Sequence, residues 1–173
     1  VQEGIEVAKG TGLTIISGIE MDCVFDGIEL HLLGFGIDHH AHIFEEIEAD
    51  VYHQEKANSF QMMQLVRQVG IEFDDEQIEE LTRDGGVTGE MIARAALIYD
   101  EDAKNPLLDP YRDGGDRSDN PFTNFYWDYC SQGKPAYMPM NFLSLAEAIE
   151  VIHLNGGVPV LAHPGVNVKE NSD

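Results

Sequence analysis

Glu20, His31 and His163 are the side chains whose types and placement suit a metal ion. The first two can be placed by turn chemistry. In Ile16 to Gly36, ISGIEMDCVFDGIELHLLGFG, Asp26-Gly27 separates two apolar runs. An Asp-Gly pair accepts φ > 0 at both central positions of a two-residue hairpin turn, and is the strongest short hairpin signal. That turn sets Phe25 opposite Ile28 and Asp22 opposite His31. One face then carries Met21, Cys23, Phe25, Ile28, Leu30 and Leu32; the other carries Glu20, Asp22, Val24, Glu29, His31 and Leu33. Glu20 and His31 lie diagonally on the second face, with Cα atoms roughly 7–8 Å apart. Two side chains can close that gap around an ion. A solvated polar face on an antiparallel ribbon has the same pattern, so the hairpin alone leaves both readings open. His163 tips the balance towards metal. It ends the wholly apolar run Val158 to Ala162, read as a strand buried on both faces, and precedes Pro164-Gly165. In α/β barrels the C-terminal ends of strands are where chemistry is built.

The elements that must position these residues follow from periodicity and caps. Val1 to Gly10 reads as helix, with Ile5 and Ala8 inward and Gly10 to Gly12 as its stop. Leu13 to Glu20 reads as the following strand, a helix-to-strand unit of the α/β kind. Asp38 to His42, DHHAH, is a polar turn; its three histidines lack any neighbour that would fix a metal geometry, and a solvated helix entry is the better reading. From Ile43 to Gly70, apolar residues at 43, 44, 47, 51, 62, 65, 66 and 69 have the spacing of a long amphipathic helix. Asp74 or Asp75 opens a short helix through Leu81, and Thr88 caps another from Gly89 to Tyr99.

Asp100 to Asn120 is rich in Asp, Gly, Pro and Asn and reads as an exposed excursion or lid. It lacks the spacing of a calcium loop. Asn120-Pro121 has the form of an N-cap and first-turn pair, opening a helix whose aromatics, Phe122 to Tyr129, suit helix packing better than base stacking. Gly133 to Pro139 reads as extended. Ser144 to Glu147 is a capping box, and its helix runs on to Gly156-Gly157.

Composition narrows the function. The chain has 173 residues, 43% of them hydrophobic, enough for a real core in one domain or in a domain with an insertion. Ten Lys and Arg stand against 32 Asp and Glu, a net charge of −22. Such a chain repels a phosphate backbone unless metal ions invert the local field, so stable duplex nucleic-acid binding is not expected. Cys23 and Cys130 form no disulfide framework and no metal-binding spacing, and read as small buried apolar residues. The absence of a signal-peptide pattern and of any transmembrane-length apolar run points to a cytoplasmic protein with no membrane partner. The start at Val1, inside a helix, and the end at Asp173, just past a strand, give the chain the look of a piece of a longer protein.

Two stretches carry a resemblance: ISGIE…ELHLLGFGI, and GKPAYMPMNFLSLAEAIEVIHLNGGVPVLAHPG. They resemble the PHP (polymerase and histidinol phosphatase) family, specifically its small metal-dependent phosphoesterases. The resemblance implies an α/β fold, part of a distorted barrel of the (βα)7 type with about seven strands. Residues 1–38 and 141–173 would be barrel parts, and 39–140 a mostly helical insertion that caps the site and chooses the substrate. It implies two or three divalent metal ions. His nitrogens with carboxylates suit Mn, Zn or Fe. Carried over by position, Glu20 would be the bridging carboxylate, His31 a ligand from the hairpin strand and His163 a ligand from the LAHPG strand end. Lys134 and Arg94 are the basic residues that would meet a phosphate, with a plain surface role equally open.

The expected activity is hydrolysis of phosphate esters of nucleotide type (a nucleoside monophosphate, a bisphosphate or a short oligonucleotide) by a metal-activated water. No Ser-His-Asp arrangement offers a covalent nucleophile. The chain also departs from the family pattern. The HxH strand, the ITDH-type strand end and the closing Asp-x-His are absent, and Thr88-Gly89-Glu90-Met91 stands where an Arg-x-His pair is often found. The chain alone is therefore expected to be inactive, with a histidinol-phosphate-type phosphatase, an inert fragment or a binding module as the alternatives.

Overall fold

The computed structural model describes residues 1–82 and 84–165. Its elements are α1 (Gln2–Ala8), β1 (Gly18–Phe25), β2 (Ile28–Phe35), α2 (His42–Val69), α3 (Asp75–Leu81), α4 (Gly89–Tyr99), a 3-10 turn at Asp109–Tyr111, α5 (Pro121–Tyr129), β3 (Leu143–Ser144), α6 (Leu145–Leu154) and β4 (Val158–Ala162). They form two compact units, residues 1–49 with the stretch after 140, and residues 50–140.

The first unit is built on the hairpin. Asp26 and Gly27 have φ of 51° and 80°, as a turn with two left-handed residues requires. The register is the expected one, with Phe25 opposite Ile28, Asp22 opposite His31 and Glu20 opposite Leu33. β3 adds parallel to β1 and β4 adds antiparallel to β2, giving a mixed four-stranded sheet in the order β3-β1-β2-β4. α6 connects β3 to β4 and covers the apolar face of the hairpin. Ala148 and Ile152 are buried there with Met21, Cys23, Leu30 and Leu32. Fully burying such side chains contributes about 1.5–3 kcal/mol for each large one, so this face holds the hairpin to the helix and leaves the polar face free. The capping box is present: Ser144 Oγ accepts from the Glu147 amide at 3.2 Å, and the Glu147 carboxylate accepts from the Ser144 amide at 2.8 Å.

The second unit packs the later turns of α2 with α3, α4 and α5. Val66, Ile71, Ile92, Ala96, Leu108 and Phe125 are all fully buried in its core. Phe125 lies 4.8 Å from Tyr129 and 5.4 Å from Tyr111 between ring centroids, so the aromatics of α5 pack as core. Cys23 and Cys130 are both buried free thiols, in the first and second units respectively.

Several sequence expectations are corrected. Leu13 to Ser17 is not strand. The ladder ends at Gly18 opposite Phe35, and among the described residues no strand pairs with residues 13–16. Among the described residues β4 lies at the end of the sheet, with Val158 63% and Val160 42% exposed, where burial on both faces was expected. An apolar run reports what a strand could bury, whereas its place in the sheet decides what it does bury.

The Asp100 to Asn120 stretch is anchored rather than loose. Leu108 is fully buried and Tyr111 nearly so. The Asp100 carboxylate accepts from the Lys104 and Asn105 amides and from Arg112. Asp128 accepts from Tyr111 Oη at 2.7 Å and from Arg117 at 2.6 Å. Some of these bonds are local and others reach from the loop to α5, a pairing that composition does not register. Gln132 to Ala136 is turned, not extended. Asn120 and Asp74 stand at N-cap positions without side-chain cap bonds, whereas Thr88 accepts from the Met91 amide.

Candidate metal centre

The polar face of the hairpin, opposite α6, collects the site. β1 supplies Glu20 and Asp22, β2 supplies His31, and the residue just past the end of β4, which pairs with β2, is His163. Because His31 faces Ala162 in that pairing, the next residue emerges beside it. His163 has φ of 25°, a backbone conformation that bulky residues rarely adopt. It lies directly before Pro164, where an extended conformation is the usual one.

The three ligand candidates converge. Glu20 Oε1 lies 3.1 Å from His31 Nδ1 and 3.2 Å from His163 Nε2. One donor atom from each residue falls within 4.8 Å of the others, and the two rings meet edge to face at 4.8 Å between centroids. The donor set fits a divalent ion. Ligand atoms held about 2.0–2.2 Å from one ion sit roughly 3 Å apart when they are neighbours on it, which is the spacing of both Glu20 contacts. Two nitrogens and a carboxylate oxygen also match the preference of Mn, Zn and Fe. Exposure is intermediate to open, with the Glu20 side chain at 50% and that of His163 at 44%.

Asp22, which the sequence reading did not count among the site residues, borders the cluster. Its Oδ1 lies 3.2 Å from His31 Nε2, on the far side of the ring from Glu20. Burial pushes the Asp22 carboxyl above the usual carboxylate range; His31 pulls it back down and Glu20 adds to the rise. The signal was available, since the hairpin register sets Asp22 directly across from His31.

Arg94 and Lys134 belong to the second unit, Arg94 exposed on α4 and Lys134 partly buried in the turn after α5. The histidines of DHHAH do not join a metal cluster among the described residues. His39 lies 3.3 Å from Gln2 Oε1, and His42 pairs with Glu45 at 3.3 Å. No helix among the described residues is long and apolar enough to cross a membrane.

No family model matches the chain. It is 27% identical over 161 residues to the 5'-3' exoribonuclease Rnm of Escherichia coli (strain K12), covering 91% of this chain and 48% of that protein. It is 25% identical over 162 residues to the phosphoribosyl 1,2-cyclic phosphate 1,2-diphosphodiesterase of Eggerthella lenta, covering 92% of this chain and 56% of that protein. The chain thus spans about half the length of the curated relatives it matches. Among solved structures, an amidohydrolase from Chromobacterium violaceum, with bound sulfate and no metal, superposes with a TM-score of 0.68 at 21% identity over 95% of this chain and 52% of that one. A protein described as a metal-dependent phosphoesterase, from Bifidobacterium adolescentis, gives 0.57 at 20% identity over 94% and 51%. Likeness at this level is likeness of fold, and it agrees with the mixed α/β architecture. The named exoribonuclease and diphosphodiesterase are PHP-family proteins, and this chain is similar to them in sequence, in keeping with the resemblance carried by its Glu20, His31 and LAHPG stretches.

Proposed function

We propose that the protein carrying this chain is a metal-dependent phosphoesterase in which Glu20, His31 and His163 hold divalent ions. The observation that supports this most strongly is the convergence of Glu20 Oε1 on two imidazole nitrogens, one on β2 and one just past β4, at 3.1 and 3.2 Å. When bound, such ions would lower the pKa of a water nucleophile and offset negative charge on the phosphate. The chain's own residues supply the rest. The ladder holds His31 and, through Ala162, the residue before His163, Glu20 carries a charge both histidines can share, and the half-open face would admit a solvent-exposed ester.

The substrate class we propose is a phosphate ester of nucleotide type. Relatives named as an exoribonuclease and as a cyclic-phosphate diphosphodiesterase support it. The first of these extends the range to RNA ends, so exclusion of nucleic acid by the net charge of −22 no longer holds as a general rule. Metal charge rather than a basic groove would meet the phosphate. Residues 39–140 would choose the substrate, with Lys134 and Arg94 as phosphate contacts, and the sheet would be part of a (βα)7-type barrel.

Phosphate release from a panel of nucleotides and short oligonucleotides, with and without Mn²⁺, tests this on the chain and on any longer protein that carries it. Metal-dependent release abolished by Glu20→Ala and His163→Ala is the expected result. Activity retained in either folded variant would remove the metal assignment.

A further inference from the structure

Asp22 has no part in the ligand triad, yet it sits on the same polar face and touches one member of it. His31 is held between two carboxylates, with Nδ1 at 3.1 Å from Glu20 Oε1 and Nε2 at 3.2 Å from Asp22 Oδ1. Glu20 Oε1 also lies 3.2 Å from His163 Nε2, so the Glu20 side of the ring is the side that faces the cluster. Asp22 is on the other side. A neutral imidazole carries one N–H and one lone pair, and an ionised carboxylate can only accept. A ring that gives its lone pair to an ion at the Glu20 side therefore has its proton on the Asp22 side.

We propose that Asp22 is a positioning residue for His31, accepting the Nε2–H so that Nδ1 presents its lone pair to the ion shared with Glu20 and His163. This rests on the metal-centre reading above. Under it, the 3.1 Å approach of Nδ1 to Glu20 is the edge between two neighbouring ligands rather than a hydrogen bond. The hairpin makes the arrangement cheap to hold, because Asp22 and His31 are directly opposed in the ladder and no loop needs ordering. A carboxylate on the remote N–H of a metal-bound histidine fixes the ring and raises its basicity; removing such a partner typically weakens metal binding by about 10–100-fold.

The test uses Zn²⁺, which is diamagnetic, on ¹⁵N-labelled chain. Long-range ¹H–¹⁵N spectra of the loaded protein are expected to show His31 bound through Nδ1 and protonated at Nε2. Coordination through Nε2 would overturn the proposal. Zn²⁺ affinity, measured by chelator competition, is expected to fall about tenfold in Asp22→Ala and to recover in part in Asp22→Asn, which keeps an acceptor oxygen. Unchanged affinity in Asp22→Ala would overturn it. So would a loss as complete as that of Glu20→Ala, since Asp22 would then be a direct ligand. The two readings fail separately: a wild-type chain that binds no Zn²⁺ defeats the metal centre, whereas binding indifferent to Asp22 defeats only the positioning role. Urea midpoints of the metal-free variants control for folding.

Discussion

Gly157 stands where α6 turns into β4, and a single methyl group there tests how β4, and with it His163, is held against the sheet. A Cβ at this position would lie 2.6 Å from Ile37 Cγ2, 2.9 Å from Ile152 Cγ2 and 3.2 Å from the Phe35 carbonyl oxygen. Carbon atoms pack best at about 3.5–4.0 Å, so a neighbour must retreat by roughly 1 Å. Ile152 is fully buried and Ile37 is 5% exposed, so neither has solvent to move into. The Phe35 oxygen belongs to β2 and is fixed by the ladder.

Overpacking of this kind costs about 1–3 kcal/mol, and the absence of any flexible neighbour places Gly157→Ala in the upper half of that range. Ile37→Ala alone costs about 2–5 kcal/mol through its cavity, but it also removes the atom that clashes hardest. The double variant is therefore expected to lose less than the sum, with a coupling of about 1–2 kcal/mol. Urea unfolding followed by circular dichroism measures all four corners of the cycle, and amide exchange along β4 reports where the strain goes. Additivity within about 0.5 kcal/mol, or a single-variant loss below that figure, would refute the packing argument.

Two further outcomes concern the second unit and the thiols. Asp128→Ala leaves Tyr111 Oη and the Arg117 guanidinium without their shared acceptor, which is expected to cost about 1–3 kcal/mol and to expose residues 100–120 to limited proteolysis; an unchanged cleavage pattern would mean that the buried Leu108 pins the loop alone. Burial pushes the Cys130 thiol up to about 12 and the Cys23 thiol up to about 11, both from 9.0, so neither should react with iodoacetamide at pH 8 until the chain is unfolded. Because both values are raised on folding, the stability they report is complete below pH 9 and lost as pH climbs towards the folded values, so denaturation midpoints should fall across that window and a flat profile would contradict it.

Local chemistry made much of the site legible. Asp26-Gly27 sets the hairpin register by turn geometry alone, so the opposition of Asp22 and His31, the diagonal of Glu20 and His31, and the apolar face under α6 were all available from residue types and spacing. Ser144 and Glu147 cap α6 across one helical turn, and Thr88 caps α4 in the same way. Such features depend on neighbours a few residues away, whose bonds form in whatever fold contains them.

The tertiary structure decided the rest. His163 reaches Glu20, 143 residues earlier, only because β4 pairs with β2 in the register that sets Ala162 opposite His31. Nothing in Val158 to Ala162 says which strand it will join. The loop from Asp100 to Asn120 has the composition of a lid, and the partners that hold it down, such as Asp128, lie beyond its own span. A turn or a cap is selected by the conformational preferences of its own residues; a strand's neighbour is selected by which apolar surfaces remain to be covered once the rest of the chain has packed.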